Sequence, residues 1–406
     1  IVHTSLVHEI AHCWWGNGVY VDFATGNWCE GLTTYIADYR FKEMKSPKDA
    51  LDYRRQWMRN YATLVRPETE MTVSQFRSRY NPVSKTIGYD KTAMVFHMIR
   101  QIVGEEAFWG ALRDIYRDRL FQRTSWSDLQ HAFEARAKVS LQEFFDQWVN
   151  RKGAPQFSLE SVEVYHTGDK WKVSGHITQE KPYYSFPLKL AIATQDNTVF
   201  KNIEVSAKRT SFELLSNQQP QKLIADPDYD IFRQLYPSEI PSAVNALKSS
   251  PSVVTVLPNQ SDPDLERAAN ALVISLGLKR NQFVTEDQLS RPMLYENDIL
   301  MIGRPRDIEL LQKIPANATI GSKSFSLNNV LYNGTTDAFF GVFHHPYTEN
   351  RIAALFMPLS PQNAEVIAAK ITHYGKYSYL AFRSGRNQAK GFWPVQKSPL
   401  IYEWVN

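Results

Sequence analysis

The sequence predicts a multidomain α+β chain. A helical lobe is expected over residues 1–155, a small antiparallel β-sandwich over 156–236, and a linker with an α/β layer domain over 237–406. Three observations predict this. Apolar residues recur at helical spacing almost to Val149. From Phe157 the period drops to two. Beyond Pro251 short apolar strands alternate with helical stretches, as in an α/β layer. A chain of 406 residues is long enough for two or three cores.

The first helix ends near Trp14, Trp15 and Gly16, since glycine is a usual stop. Residues 19–23 read as a short extended link. A second helix opens at Glu30, with Leu32, Tyr35, Ile36 and Tyr39 on one face. A third covers about 50–64, with Leu51, Trp57, Met58 and Tyr61 apolar. A polar passage through Pro67 and Pro82 follows. The next helix, 93–103, is stopped by Gly104, and another carries Phe108, Leu112, Ile115 and Tyr116. Ser127 with Gln130, and Ser140 with Glu143, read as capping boxes for two more. Phe144, Phe145, Trp148 and Val149 form the core face of the last.

In the sandwich region Leu159, Val162 and Val164, then Trp171 and Val173, then Phe186, Leu188, Leu190 and Ile192 mark strands, with Gly168-Asp169 as a turn. In the last region strands are expected at 253–257, 299–302, 339–343, 352–356 and 379–382, and helices at 264–276, 308–314 and 364–373. Ile302-Gly303-Arg304-Pro305 follows a strand, but no dinucleotide fingerprint or Walker lysine accompanies it. His344-His345 makes a poor chelate, because neighbours on a strand point to opposite faces.

Lys and Arg number 46 against 42 Asp and Glu. That balance gives no electrostatic case for nucleic acid or a polybasic membrane surface. The apolar runs are too short for a membrane span. The chain opens on Ile1, so it reads as an excised or processed segment, and any targeting region is expected upstream.

The chemistry concentrates in His8-Glu9-Ile10-Ala11-His12. Helix positions four apart lie about 40° round the axis and about 6 Å along it. Both imidazoles therefore leave one face and can share one metal ion. Two neutral nitrogens suit tetrahedral zinc, and Glu9 suits the proton work of hydrolysis. The bland alternative is an amphipathic helix with two ordinary histidines. Against it stands Glu30, on the first turn of the next helix and well placed as third ligand, with Asp22 as its rival. Three protein ligands leave a fourth position open, which is the catalytic arrangement. One zinc per chain is expected. Cys13 is turned about 100° from His12 on the helix and is a poor ligand. Cys13 and Cys29 are expected as two buried free thiols, with a disulfide as the alternative.

His8-Glu9-Ile10-Ala11-His12-Cys13-Trp14-Trp15-Gly16-Asn17 followed by Glu30-Gly31 resembles the M1 family of zinc aminopeptidases, which are gluzincins. The resemblance covers about the first 230 residues. It implies a helical zincin C-lobe, zinc held by His8, His12 and Glu30, and a peptide substrate. Here seventeen residues separate His12 from Glu30, where the family has eighteen. Ile87-Gly88-Tyr89-Asp90-Lys91 resembles the family stretch whose tyrosine stabilises the tetrahedral intermediate, which implies that role for Tyr89. Asp90 and Thr92 stand where the family has Glu and Gly. The family's Gly-x-Met-Glu-Asn stretch, which anchors the substrate amine, does not occur, so an upstream segment is expected to complete the cleft.

The leading expectation is thus zinc-dependent peptide-bond hydrolysis, with Glu9 moving the proton. The rival is a non-catalytic zinc-containing scaffold that binds a partner protein. An intact Glu9 argues against it, because a scaffold has no chemical need for that base.

Overall fold

The structure, a computed structural model, describes residues 6–260, 262–348, 351–395 and 397–404. They form two compact units, Ile1–Pro237 with Lys397–Asn406, and Ser238–Gln396.

In the first unit the helix Leu6–Ala11 leads into a turn and the short strand Tyr20–Val21. That strand pairs in parallel with Arg123–Thr124. The next helix begins at Cys29–Thr33, widens into a π turn over Thr34–Tyr39, and resumes as Arg40–Lys45. Pro47–Leu64 starts where Ser46 Oγ accepts the Asp49 N–H at 3.0 Å, with proline in the first turn. A second π turn, Thr86–Lys91, joins Pro82–Lys85 to Thr92–Val103. Gly104 ends that helix at φ 83°, a conformation open mainly to glycine. Glu105–Asp118, Trp126–Ala137 and Gln142–Trp148 complete the helices.

Two expected helix starts differ. The box at the start of Trp126–Ala137 is built by Ser125 and Asp128, not by Ser127 and Gln130. Trp126 is buried as the first helical residue and fixes that register. The last helix begins after Leu141 with no side-chain cap, so Ser140 and Glu143 form no box.

Among the described residues, the other strands of this unit make two antiparallel sheets. Lys170–Gln179 lies between Phe157–Thr167 and Arg209–Ser216. Phe186–Ala193 lies between Thr198–Val205 and Lys222–Ala225. Leu188, Leu190 and Ile192 are fully buried, as their alternation requires. Phe157 meets Phe186 of the other sheet with ring centroids 5.1 Å apart. The strand Ile401–Glu403 pairs with Lys222–Ala225. Residues 397–406, read from sequence as the end of the α/β region, therefore return to the first unit. The pairing is made by backbone groups, which local composition does not reveal.

Among the described residues the second unit centres on a seven-stranded sheet. Its order is Asn281–Thr285, Val253–Leu257, Asp298–Ile302, Ile352–Pro358, Asp337–His344, Tyr379–Arg383, Arg386–Gly391. The first four strands are parallel and the others antiparallel. Pro263–Leu276 and Ala364–Ile371 bury Leu272 and Ile367 with Leu300, Phe340 and Phe356 on one face. Ile299, Met301, Phe339 and Trp393 pack on the other. Asn281–Thr285 escapes sequence reading because only Val284 of its residues is buried. The expected helix over 308–314 is a short 3₁₀ turn, Ile308–Leu311. His344 is exposed and His345 is buried. His345 Nδ1 accepts the N–H groups of Tyr347 and Thr348. No helix among the described residues is long and apolar enough to cross a membrane.

Candidate metal centre

His8 and His12 project from one face of the first helix toward Glu30 on the second. His8 Nε2 lies 3.2 Å from His12 Nε2 and 3.4 Å from Glu30 Oε2, and His12 Nε2 lies 3.5 Å from the same oxygen. Zinc bonds of about 2.0–2.1 Å at tetrahedral angles put ligand atoms about 3.3–3.4 Å apart. The three donor atoms thus form a triangle of the size that one face of a zinc tetrahedron requires. Among the described residues this is the one group of three such donors close enough to hold a metal ion.

Both imidazoles are aimed from behind. His8 Nδ1 lies 3.0 Å from Asp38 Oδ2. His12 Nδ1 lies 3.0 Å from the Trp15 carbonyl and 3.3 Å from Cys29 Sγ. With hydrogen on each Nδ1, each Nε2 lone pair faces the centre, the usual support of a metal-binding histidine. Asp38 was missed in the sequence. It sits eight residues after Glu30, which a regular α-helix would turn by about 80°. The wider π turn over Thr34–Tyr39 takes up part of that angle.

The electrostatics favour a cation at the centre. Burial would lower the pKa of His8, but Asp38 and Glu30 outweigh it and hold it at about 9. His12 is pushed up to about 10 by its contact with Cys29, then by Glu30, against burial. Burial would raise Glu30, yet the two histidines and Tyr89 hold it at about 2. In the metal-free site, protons therefore occupy the imidazoles at neutral pH. Metal ligands must be neutral imidazoles, so a metal ion taken up at pH 7 is expected to displace protons from the pair. Uptake should weaken as the pH falls from 8 to 5, because protons compete for the same nitrogens. Calorimetry in two buffers of different ionisation enthalpy counts the protons, and a count near zero would contradict this charge state.

Tyr89 stacks beside His8 with ring centroids 6.2 Å apart. Burial, then the Glu30 carboxylate, raise its pKa, so it remains a phenol. Glu9 is exposed and outside the donor group. Asp22, the rival third ligand, instead accepts the Ala24 N–H at 3.1 Å in a turn. Cys13 and Cys29 are both free, and only Cys29 is buried; the expectation that Cys13 is buried was wrong. Cys13 lies in the turn that follows the helix Leu6–Ala11, and its side chain stays at the surface.

Two glycines let the elements approach. A Cβ on Gly31 would stand 2.1 Å from Thr92 Cγ2, and one on Gly88 would stand 2.1 Å from the Phe76 ring. The helix bearing Glu30 can thus lie against Thr92, and the turn bearing Tyr89 against Phe76.

Residues 2–148 match the Peptidase family M1 domain. Aminopeptidase M1 of Arabidopsis thaliana is 27% identical over 164 residues, 39% of this chain and 18% of that protein. Alanine/arginine aminopeptidase of Saccharomyces cerevisiae is 25% identical over 219 residues, 52% of this chain and 25% of that protein. Aminopeptidase N of Bos taurus is 26% identical over 180 residues, 39% and 18% of the two chains. A solved structure of Legionella pneumophila aminopeptidase A in complex with aspartic acid is similar over 71% of this chain and 32% of its own, with 16% identity and a TM-score of 0.42. The chain spans 18% to 25% of the length of these curated relatives. The likeness to peptidase family M1 is thus carried by residues 2–148 of this chain.

Proposed function

We propose that this chain carries the zinc-binding half of an aminopeptidase cleft, with zinc held by His8 Nε2, His12 Nε2 and Glu30. The observation that carries the reading is the triangle of donor atoms 3.2–3.5 Å on a side. Zinc, when bound, supplies a Lewis acid that polarises a carbonyl and makes water easier to deprotonate. Glu9 takes a proton from the attacking water and passes it to the leaving amine. The Tyr89 hydroxyl donates to the oxygen that gains charge in the transition state. A phenol whose pKa is raised keeps that proton to donate, which supports the assignment. The two antiparallel sheets are read as a small sandwich bracing the helical lobe.

The outer side of the first helix supports a cleft completed by further chain. Leu6 and Ile10, on the helix opposite the histidines, and Trp14 in the turn after it are 43%, 46% and 45% exposed. Exposed apolar side chains grouped in this way mark a surface that another segment covers. The substrate amine also lacks the anchor that an upstream Gly-x-Met-Glu-Asn stretch would supply. Loss of a positioning contact costs about 10²-fold or more in rate. The chain alone is therefore expected to bind one zinc yet hydrolyse an aminoacyl arylamide feebly. The protein extended upstream should be faster by about that factor or more, and only on free N-termini. The measurement is kcat/KM for the two proteins. Comparable values would show the anchor to be unnecessary, and failure of the chain to bind zinc would overturn the reading.

A further inference from the structure

Behind the donor triangle lies a second set of buried polar side chains that the proposed chemistry does not use. Tyr35 and Tyr39 flank Asp38 on the π turn and stack with centroids 5.1 Å apart. The His97 ring meets both edge-on, at 5.8 and 5.6 Å. All three are almost wholly buried.

The direction of each hydrogen bond follows from donor chemistry. Arg100 has only donors, so its Nη1 donates to the Tyr35 oxygen at 3.0 Å. The Tyr35 O–H is then free to donate to His97 Nδ1, 3.2 Å away. An accepting Nδ1 puts the ring hydrogen on Nε2, where Asp230 accepts it at 3.0 Å. Burial keeps His97 below the usual histidine pKa, which suits this neutral tautomer. Arg54 completes the set by donating to the Tyr39 hydroxyl and, at 2.7 Å, to the Asp228 carbonyl. The Asp230 N–H donates to Asp226 at 2.8 Å, and Arg233 holds that carboxylate at 3.1 Å.

A phenyl ring at position 97 would fill similar space. A histidine with both nitrogens committed does more, because it fixes the rotation of the rings it joins. Those rings belong to the turn that presents Asp38, and π turns persist only where the surroundings hold them. We propose that His97 is a positioning residue for the metal centre. With Tyr35 and Asp230 it holds the π turn that aims Asp38 at His8 Nδ1, and so raises the affinity of the site for zinc. This rests on the reading of His8, His12 and Glu30 as zinc ligands.

The test is zinc affinity of the full chain, by competition with a chromophoric chelator, for four proteins: wild type, Asp38→Asn, His97→Phe and the double variant. Asp38→Asn is expected to weaken binding about 10–100-fold, the usual cost of a partner behind a ligand. His97→Phe should weaken it about tenfold in the wild type and not at all beside Asp38→Asn, the non-additivity of residues acting through one contact. Tyr35→Phe, which deletes one hydroxyl, should act in the same direction, and it replaces His97→Phe if that variant does not fold. Wild-type affinity in a His97→Phe protein of lowered Tm would mean that His97 only packs, and would overturn the proposal. An undiminished further loss beside Asp38→Asn would overturn it too. A wild type that takes up no zinc fails before any variant is compared, and removes the ligand reading as well.

Discussion

His12→Ala is expected to leave the chain with almost no zinc, against one equivalent in the wild type. The substitution removes one corner of a donor triangle whose sides are 3.2, 3.4 and 3.5 Å. His8 and Glu30 alone cannot complete a tetrahedral site. Asp22→Ala serves as the contrast, because Asp22 closes a turn with Ala24 and lies outside the donor group. It should retain its full equivalent. Elemental analysis after dialysis decides, with circular dichroism to show that both variants are folded. Equal zinc in His12→Ala and wild type would remove the assignment, and loss of zinc in Asp22→Ala would transfer it.

What the sequence made legible is what a regular period can carry. His8 and His12 share a face because four residues make about one turn. Glu30 was placed by the helical stripe that starts with it. The support behind those residues was not legible. Asp38 needs a π turn to reach His8, and nothing in Thr34-Tyr35-Ile36-Ala37-Asp38-Tyr39 departs from an ordinary helical pattern. The carbonyl of Trp15 supports His12 through backbone alone. Tyr89 likewise sits on a π turn, and it was found by resemblance and not by periodicity. The same division runs through the fold. Buried strands such as Val253–Leu257 and Ile352–Pro358 announce themselves by continuous apolar residues. The edge strands Asn281–Thr285 and Arg386–Gly391 bury little and give no such sign. Ile401–Glu403 joins a sheet more than 170 residues upstream, which no local pattern encodes.

Glu9→Gln separates binding from proton transfer, and its expected effect on rate is the largest of any single substitution here. Glutamine has the shape of glutamate but cannot act as a base at neutral pH. Glu9 is exposed and contributes nothing to the donor triangle. The variant should therefore keep its zinc. On the proposed reading, peptidase activity should fall by roughly 10²–10⁴-fold, the range for a lost general base. Tyr89→Phe removes one hydroxyl beside Glu30 and His8. It too should keep its zinc, and should lower kcat with little change in KM, because its hydrogen bond is formed to charge present only in the transition state. Zinc content and steady-state kinetics on one aminoacyl arylamide read both variants together. A Glu9→Gln protein that loses its metal would make Glu9 part of the binding set. A Tyr89→Phe protein with wild-type kcat would leave Tyr89 as a packing neighbour of His8, and the donor to the oxyanion would have to be sought elsewhere.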